Sequence, residues 1–538
     1  MVEFPIRSRR CRVTILAVAW LLASCQWWDP APAPEPVPTP SELPTHGAQF
    51  LSLRNGGSVP ERYYEAIGAI VNGRRDTLGL FELRNFAAPS RPGTPDTRVN
   101  AIYFNAGDLN LGRDMRCRDT AGRVACAVSN HVRLEGGKPV FTADPSFALN
   151  SLVTGGTPFA TVAMEWESPL TDEARIVTVL ECAGLITPPI DGRSCGDEDR
   201  PPIFGGEIRG PAPNQDVDTG IDVNPGDTVI ISATGTVDTG FVFAHRTGPA
   251  GDDGITTDPA FPMQHVRPFG LIGRIGASAA YDVIGEGRRI FYRGATARLF
   301  LRTNDNLPGN GWGHFDVKVE VKRAAVVKFF VYGSEGQLLD DAALDSEGAK
   351  RVPGVCLACH GGIYDPATHV VKGASFLPFN VNTFKFSTVS PYTRAEQEEA
   401  FRKLNQLVYR TRPPEHGEPV QDFIDGLYGL NGVFTANTPA RNDLVPAAWD
   451  GPDRDLYTKI VRPYCATCHI AMGNDKYLNF SSAFEFKHRL SGDRLRNNVC
   501  LNRSMPHAEV TFSNFWTDNM GQQPQAFADA LGLLPCSR

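Results

Sequence analysis

The sequence predicts a multidomain chain with an N-terminal mostly-β domain, a compact β-sandwich and a C-terminal mostly-α region. Three observations lead there. Between residues 48 and 184, short β-branched runs are separated by Gly, Pro and Asn clusters. Between 216 and 323, apolar and polar residues alternate along strands, and after Pro353 apolar residues recur at helical spacing around two copies of Cys-x-x-Cys-His. With 538 residues, 42% hydrophobic and 21% charged, the chain can bury several cores and does not have the composition of a disordered protein. A formal net charge of -7 provides no basic field, so no nucleic-acid partner is expected.

Taken in order, residues 1–24 read as an export signal. Arg7, Arg9, Arg10 and Arg12 precede the apolar run from Val13 to Leu22, which is short for a membrane span. Leu22-Ala23-Ser24-Cys25 resembles the bacterial lipobox, in which cleavage occurs before the Cys and lipid is attached to it. The resemblance implies lipidation at Cys25 and anchoring in the cell envelope, and Gln26 rather than Asp implies the outer membrane. Several acyl chains together anchor stably where one does not. Residues 25–47 then form a Pro-rich stalk, whose segment DPAPAPEPVPTPSELP holds polyproline II.

The domain at 48–184 contains runs such as Val99-Asn100-Ala101-Ile102-Tyr103-Phe104 and Ile176-Val177-Thr178-Val179-Leu180 but no chemical motif. Residues 185–215, rich in Pro, Gly and Asp, read as a linker. In the sandwich, 216–323, Val229, Ile231 and Ala233 face one way along one strand. Phe315, Val317, Val319 and Val321 do the same along another, with Asp316, Lys318, Glu320 and Lys322 facing solvent. Gly220-Ile221-Asp222-Val223, Pro225-Gly226-Asp227, Gly235-Thr236-Val237, Gly248-Pro249-Ala250-Gly251, Leu271-Ile272-Gly273-Arg274-Ile275-Gly276 and Asn304-Asp305 together resemble the small bacterial galactose-binding calcium lectins. That resemblance implies a lectin-like fold and, at matching positions, a calcium ion held by Asp305 and Asn310. The loop is shorter than the family's, however, and has Gly311 where a second Asn ligand falls, while calcium wants six to eight oxygens. The sugar-contacting His after Gly248-Pro249 is also missing, so a structural or partner-docking sandwich is expected and glycan binding is not. Val326 to Tyr332 reads as one more strand, and its likeness to the strand before residue 182 places the sandwich as an insertion into one continuous domain.

The first Cys-x-x-Cys-His, Cys356-Leu357-Ala358-Cys359-His360, lies in the region 324–452, and the second, Cys465-Ala466-Thr467-Cys468-His469, in 453–538. In this motif two thiols one turn apart add across the vinyl groups of a haem, and the His gives the iron an axial nitrogen. With 12 Cys and 11 His, chance gives roughly 0.005 copies per chain, so two copies argue for two covalent haem c groups. A redox Cys-x-x-Cys has no need of the His, and a zinc site wants two such pairs close together. Thr393-Arg394-Ala395-Glu396 is a capping box that opens a helix with Ala400, Phe401, Leu404, Leu407 and Val408 on one face.

Each iron also needs a second ligand. Ser504-Met505-Pro506, 36 residues after His469, resembles the axial Met of small class I cytochromes c, which assigns Met505 to the second haem, with His488 and His507 as alternatives. No Met lies between Met263 and Met472, so local sequence gives the first haem His369, His416, Tyr364 or an open position. Met115 and Met164 could reach a haem in principle, but a Met in an apolar strand is usually core packing. Setting aside Cys11, Cys25 and the four motif thiols leaves six cysteines, and sequence-local pairing joins Cys117 to Cys126, Cys182 to Cys195 and Cys500 to Cys536 in an oxidising compartment. Residues 353–516 as a whole resemble exported dihaem cytochromes c. The expected function is electron transfer between redox partner proteins of the envelope; the alternatives are a dihaem peroxidase or oxygenase with one open iron, and a glycan-binding surface protein.

Overall fold

The computed structural model describes residues 44–52, 59–87, 97–120, 123–136, 138–141, 145–168, 172–182, 216–238, 246–306, 310–412, 419–429, 432–472, 480–489, 492–533 and 536. The export signal, Cys25, most of the Pro-rich stalk, the linker with Cys195, and His416 lie outside the described residues. The protein is multidomain, rich in β-sheet, with helices gathered toward its C-terminal half.

Strands β1 (Arg98–Asn105), β2 (Leu111–Thr120), β3 (Arg123–His131) and β4 (Ala160–Glu167) pair successively as antiparallel neighbours. The next strand, β5 (Glu173–Cys182), leaves that sheet. With β6 (Val217–Val223), β7 (Thr228–Asp238), β8 (Leu271–Ile275), β9 (Ala297–Thr303) and β10 (Asn310–Lys322) it builds the sandwich. One layer holds β6, β9 and β8, and the other is centred on β7, β10 and β5. Strand β7 pairs with β10 from Thr228↔Lys322 to Asp238↔Trp312, so Val229 and Ile231 face inward with Val319 and Val321, all nearly devoid of exposed surface. Val177 and Val179 of β5 complete the same core. The sequence groups 173–182 with the preceding domain, but β5 pairs with β10 from Glu173↔Val321 onward, because either sheet offers a β-branched strand an antiparallel partner and only long-range packing decides between them.

Strand β11 (Val326–Gly333) returns to the first sheet and lies against β4, from Glu167↔Val326 to Ala160↔Gly333. Short strands β12 (Ile363–Asp365), β13 (Val370–Lys372) and β14 (Phe384–Lys385) finish a sheet ordered β12-β13-β11-β4-β3-β2-β1-β14. After Pro353, where the sequence suggests helices and long loops, the chain thus also contributes three strands of two or three residues, too short to show a period.

Six helices matter for the site: α1 (Gly354–His360), α2 (Arg394–Arg410), α3 (Pro419–Tyr428), α4 (Ala466–His469), α5 (Glu509–Gly521) and α6 (Gln523–Ala530). Thr393 caps α2, its hydroxyl accepting from the Glu396 N–H while the Glu396 carboxylate accepts from the Thr393 N–H. Phe401, Leu404 and Val408 of α2 join the large core of the central sheet, and a separate core around Trp449, Phe515 and Trp516 fills the C-terminal part. No helix among the described residues is long and apolar enough to cross a membrane.

Candidate functional site

Helix α1 is the first Cys-x-x-Cys-His motif itself. A spacing of three puts Cys356 and Cys359 on one face of the turn, and His360 follows at its end. Gly361 stops the helix at φ 63, and a Cβ there would meet the carbonyl oxygen of Ala471 at 2.7 Å, so the chain leaving the first motif runs directly against the chain leaving the second.

His360 is clamped. Its Nδ1 lies 2.7 Å from the Ser375 carbonyl oxygen, and its own carbonyl accepts from the Ser375 N–H at 3.0 Å. A carbonyl can only accept, so Nδ1 carries the proton and Nε2 keeps a lone pair, the tautomer that a metal-binding imidazole needs. Burial pushes the His360 pKa down to about 4, which favours the neutral ring. The Phe329 ring of β11 packs 5.3 Å from the imidazole, centroid to centroid.

His360, Cys356 and Cys359 open into a cavity between α1, the loop 376–379 and one face of the central sheet, with about 1110 Å³ of empty space including its mouth. Its sheet wall is apolar at Met164, Val162 and Val331 and polar at one end, where Tyr103, Asp108 and Arg113 meet. Arg113 donates to Asp108 at 2.6 Å, while its Nε is buried without a hydrogen-bond partner. Burial raises the Asp108 and Tyr103 pKa values, the latter to about 12.

The second motif follows a continuous helical stretch from Arg454 to Tyr464, with Cys465 preceding α4. Burial pushes both Cys356 and Cys465 up to about 12, so these thiols are protonated. The Phe480 ring stacks on the His469 imidazole at 4.0 Å and 11°, which engages the ring's face and not the edge through which nitrogen coordinates. The two motifs touch: Cys468 Sγ lies 3.3 Å from Cys359 Sγ across 109 residues of sequence, and Thr467 lines the first cavity.

Disulfides join Cys117 to Cys126 and Cys500 to Cys536. The first links directly opposed residues of β2 and β3, at a Cα separation of 4.1 Å. Among the described residues the free cysteines are the four motif thiols. The backbone of Cys182 ends β5. Met505 sits in a loop where its N–H and that of Ser504 both donate to the Asn498 carbonyl. His507 is turned to the Ser52 carbonyl, 2.7 Å from its Nε2. His369 does not line the cavity; its Nδ1 lies 2.9 Å from the Tyr364 hydroxyl in the β12–β13 hairpin.

In the sandwich, Asn310 opens β10 and Asp305 is buried. The Asn304 amide is used by its own loop, accepting from Met263 N–H at 2.9 Å and donating to the Met263 and Arg267 carbonyls. No group of three or more His, Cys, Asp and Glu placed to hold a metal ion exists among the described residues.

The sequence reading missed Arg113, Asp108, Phe329 and Ser375. One signal was present: in LGRDMRCRDT, Arg113 shares a strand face with Met115 and Cys117, and a charge on an apolar face announces a buried partner.

Neither a protein-family model nor a curated protein matches the chain. Among solved structures it is similar to one described as the EclA N-terminal domain, a PllA-like lectin, at 23% identity over 20% of this chain and 88% of that one, with a TM-score of 0.17.

Proposed function

We propose that this chain is a lipid-anchored dihaem c-type cytochrome that passes single electrons between redox partner proteins of the cell envelope. The observation that carries this reading is the contact between the two Cys-x-x-Cys-His turns, 3.3 Å between Cys359 and Cys468 thiols. Each thiol would be an attachment point for its own group, so two attached groups would be held next to each other.

The residues present fit haem at the first motif. Three features agree: a cavity beside Cys356 and Cys359 with an apolar sheet wall, a His360 held in the metal-binding tautomer, and a buried Arg113 Nε with no partner, suited to a propionate. Cys356, Cys359 and His360 would hold one haem, and Cys465, Cys468 and His469 the other, with Met505 as the further ligand that the sequence assigns to the second. Haem supplies one-electron chemistry at its iron. The chain's own part is to orient each imidazole, through Ser375 for His360 and Phe480 for His469, and to wall the first site from water with Val162, Val331 and Phe329. Lipid at Cys25 and the Pro-rich stalk hold this body at the outer membrane, and the sandwich serves as a docking or spacing module.

The test is a visible spectrum of the reduced protein before and after carbon monoxide, with haem quantified on the same sample. Two haems per chain and no shift are expected for a relay with both irons six-coordinate. A carbon monoxide shift at one haem moves the protein to the peroxidase or oxygenase class, and absence of covalent haem overturns the reading.

A further inference from the structure

The sixth ligand of the first haem is the group that local sequence does not supply, and the cavity restricts it. Arg113 is committed to Asp108. The Asn130 amide donates to the Val128 and Ala160 carbonyls. His369 faces Tyr364 and does not reach the lining, and among the described residues no imidazole other than His360 lines the cavity. Two soft donors remain on the sheet wall, the buried thioethers of Met164 and Met115.

Register separates them. Met164 on β4 lies directly opposite Phe329 on β11, and the Phe329 ring is 5.3 Å from the His360 imidazole. Met115 pairs with Val128 on β3, which places it on β2, three strands from β11. At about 4.8 Å per strand that is roughly 14 Å across the sheet from Phe329, against one strand spacing for Met164. Both thioethers line the cavity, but Met164 starts one strand from the Phe329 ring that touches His360, and its unbranched side chain is free to adapt within the cavity.

We infer that Met164, supplied from strand β4 far upstream of the motif, is the axial ligand opposite His360, giving the first haem His/Met coordination. The inference rests on the haem reading above. It makes the central sheet part of the coordination sphere: the motif brings the imidazole and the thiols, and the strand brings the sulfur. Met ligation sets a high potential at this iron, as Met505 does at the other.

Full-length M164L tests it, because Leu conserves volume and cores tolerate that exchange. The expected result is two covalent haems per chain, loss of the thioether-to-ferric-iron charge-transfer band at one of them, and uptake of one carbon monoxide per chain where the parent takes none. M164H should abolish that uptake and lower the midpoint potential of one haem, which a purely structural Met would not do. M164L with two haems and a parent-like spectrum overturns the inference, as does loss of the band in M115L instead, or carbon monoxide uptake by the parent. A parent chain without covalent haem overturns the haem reading itself, and with it this inference.

Discussion

Arg113 and Asp108 meet at 2.6 Å with side chains 13% and 4% exposed, at the polar end of the cavity. A carboxylate this far from water tolerates its charge only because the guanidinium is there, and removing one partner of a buried pair is costly. R113A is expected to lower the unfolding free energy by about 3 kcal/mol at neutral pH, measured by urea denaturation. The loss should shrink as pH falls, because burial already raises the Asp108 pKa and a protonated carboxyl carries no stranded charge. An equal loss at neutral and at acidic pH would show that packing, not charge, accounts for the Arg. At this scale the sequence is uneven. Cys356, Cys359, His360 and their second copy are readable because chemistry fixes their spacing; the Arg113–Asp108 pair is readable only from the Arg side, and Met164 looks like any core Met until β4 is set against β11.

Helix α2 shows where local rules suffice. Its cap is written in four residues, and its apolar face recurs at helical spacing, so start and buried side both follow from sequence. What its polar side does is tertiary. Arg402 donates through Nε and Nη2 to the two Glu399 carboxylate oxygens at 2.7 Å each, and Glu399 also accepts the Asn437 N–H at 2.9 Å, tying the helix to a distant loop. The Arg402 guanidinium holds the Glu399 pKa at about 2, below its ordinary value of 4.5. A depressed carboxyl pKa means stability that is present in full above 4.5 and lost as pH falls toward about 2. Thermal midpoints between these limits should therefore fall more steeply for the parent than for E399Q, which lacks the titrating group; parallel curves would show that the pair does not contribute. Strand β5 is the opposite case, since its β character is plain but its sheet is chosen by partners more than a hundred residues away.

On the scale of the whole molecule, the central sheet is stitched from two stretches of chain with the sandwich between them. The long strands are locally readable, but the seam is not, because the register of β4 against β11 is set by contacts across the insertion and no short-range pattern encodes it. The seam also makes a prediction. Glu167 and Val326 are direct antiparallel partners, so the ends of the insertion emerge side by side, at the spacing a two-residue hairpin turn bridges. The sandwich has a core of its own, built from β5 to β10, and its residues do not line the cavity beside Cys356 and His360. Replacing residues 168–325 by Asn-Gly should therefore leave a folded chain with two covalent haems and the parent visible spectrum. Haem quantification and carbon monoxide uptake on the shortened chain check this directly. Retention of both haems with a six-coordinate spectrum means that the sheet and the two motifs bind the proposed haems without the sandwich; loss of the first haem alone means that the insertion holds β4 and β11 in register, the register on which the proposed Met164 ligation depends.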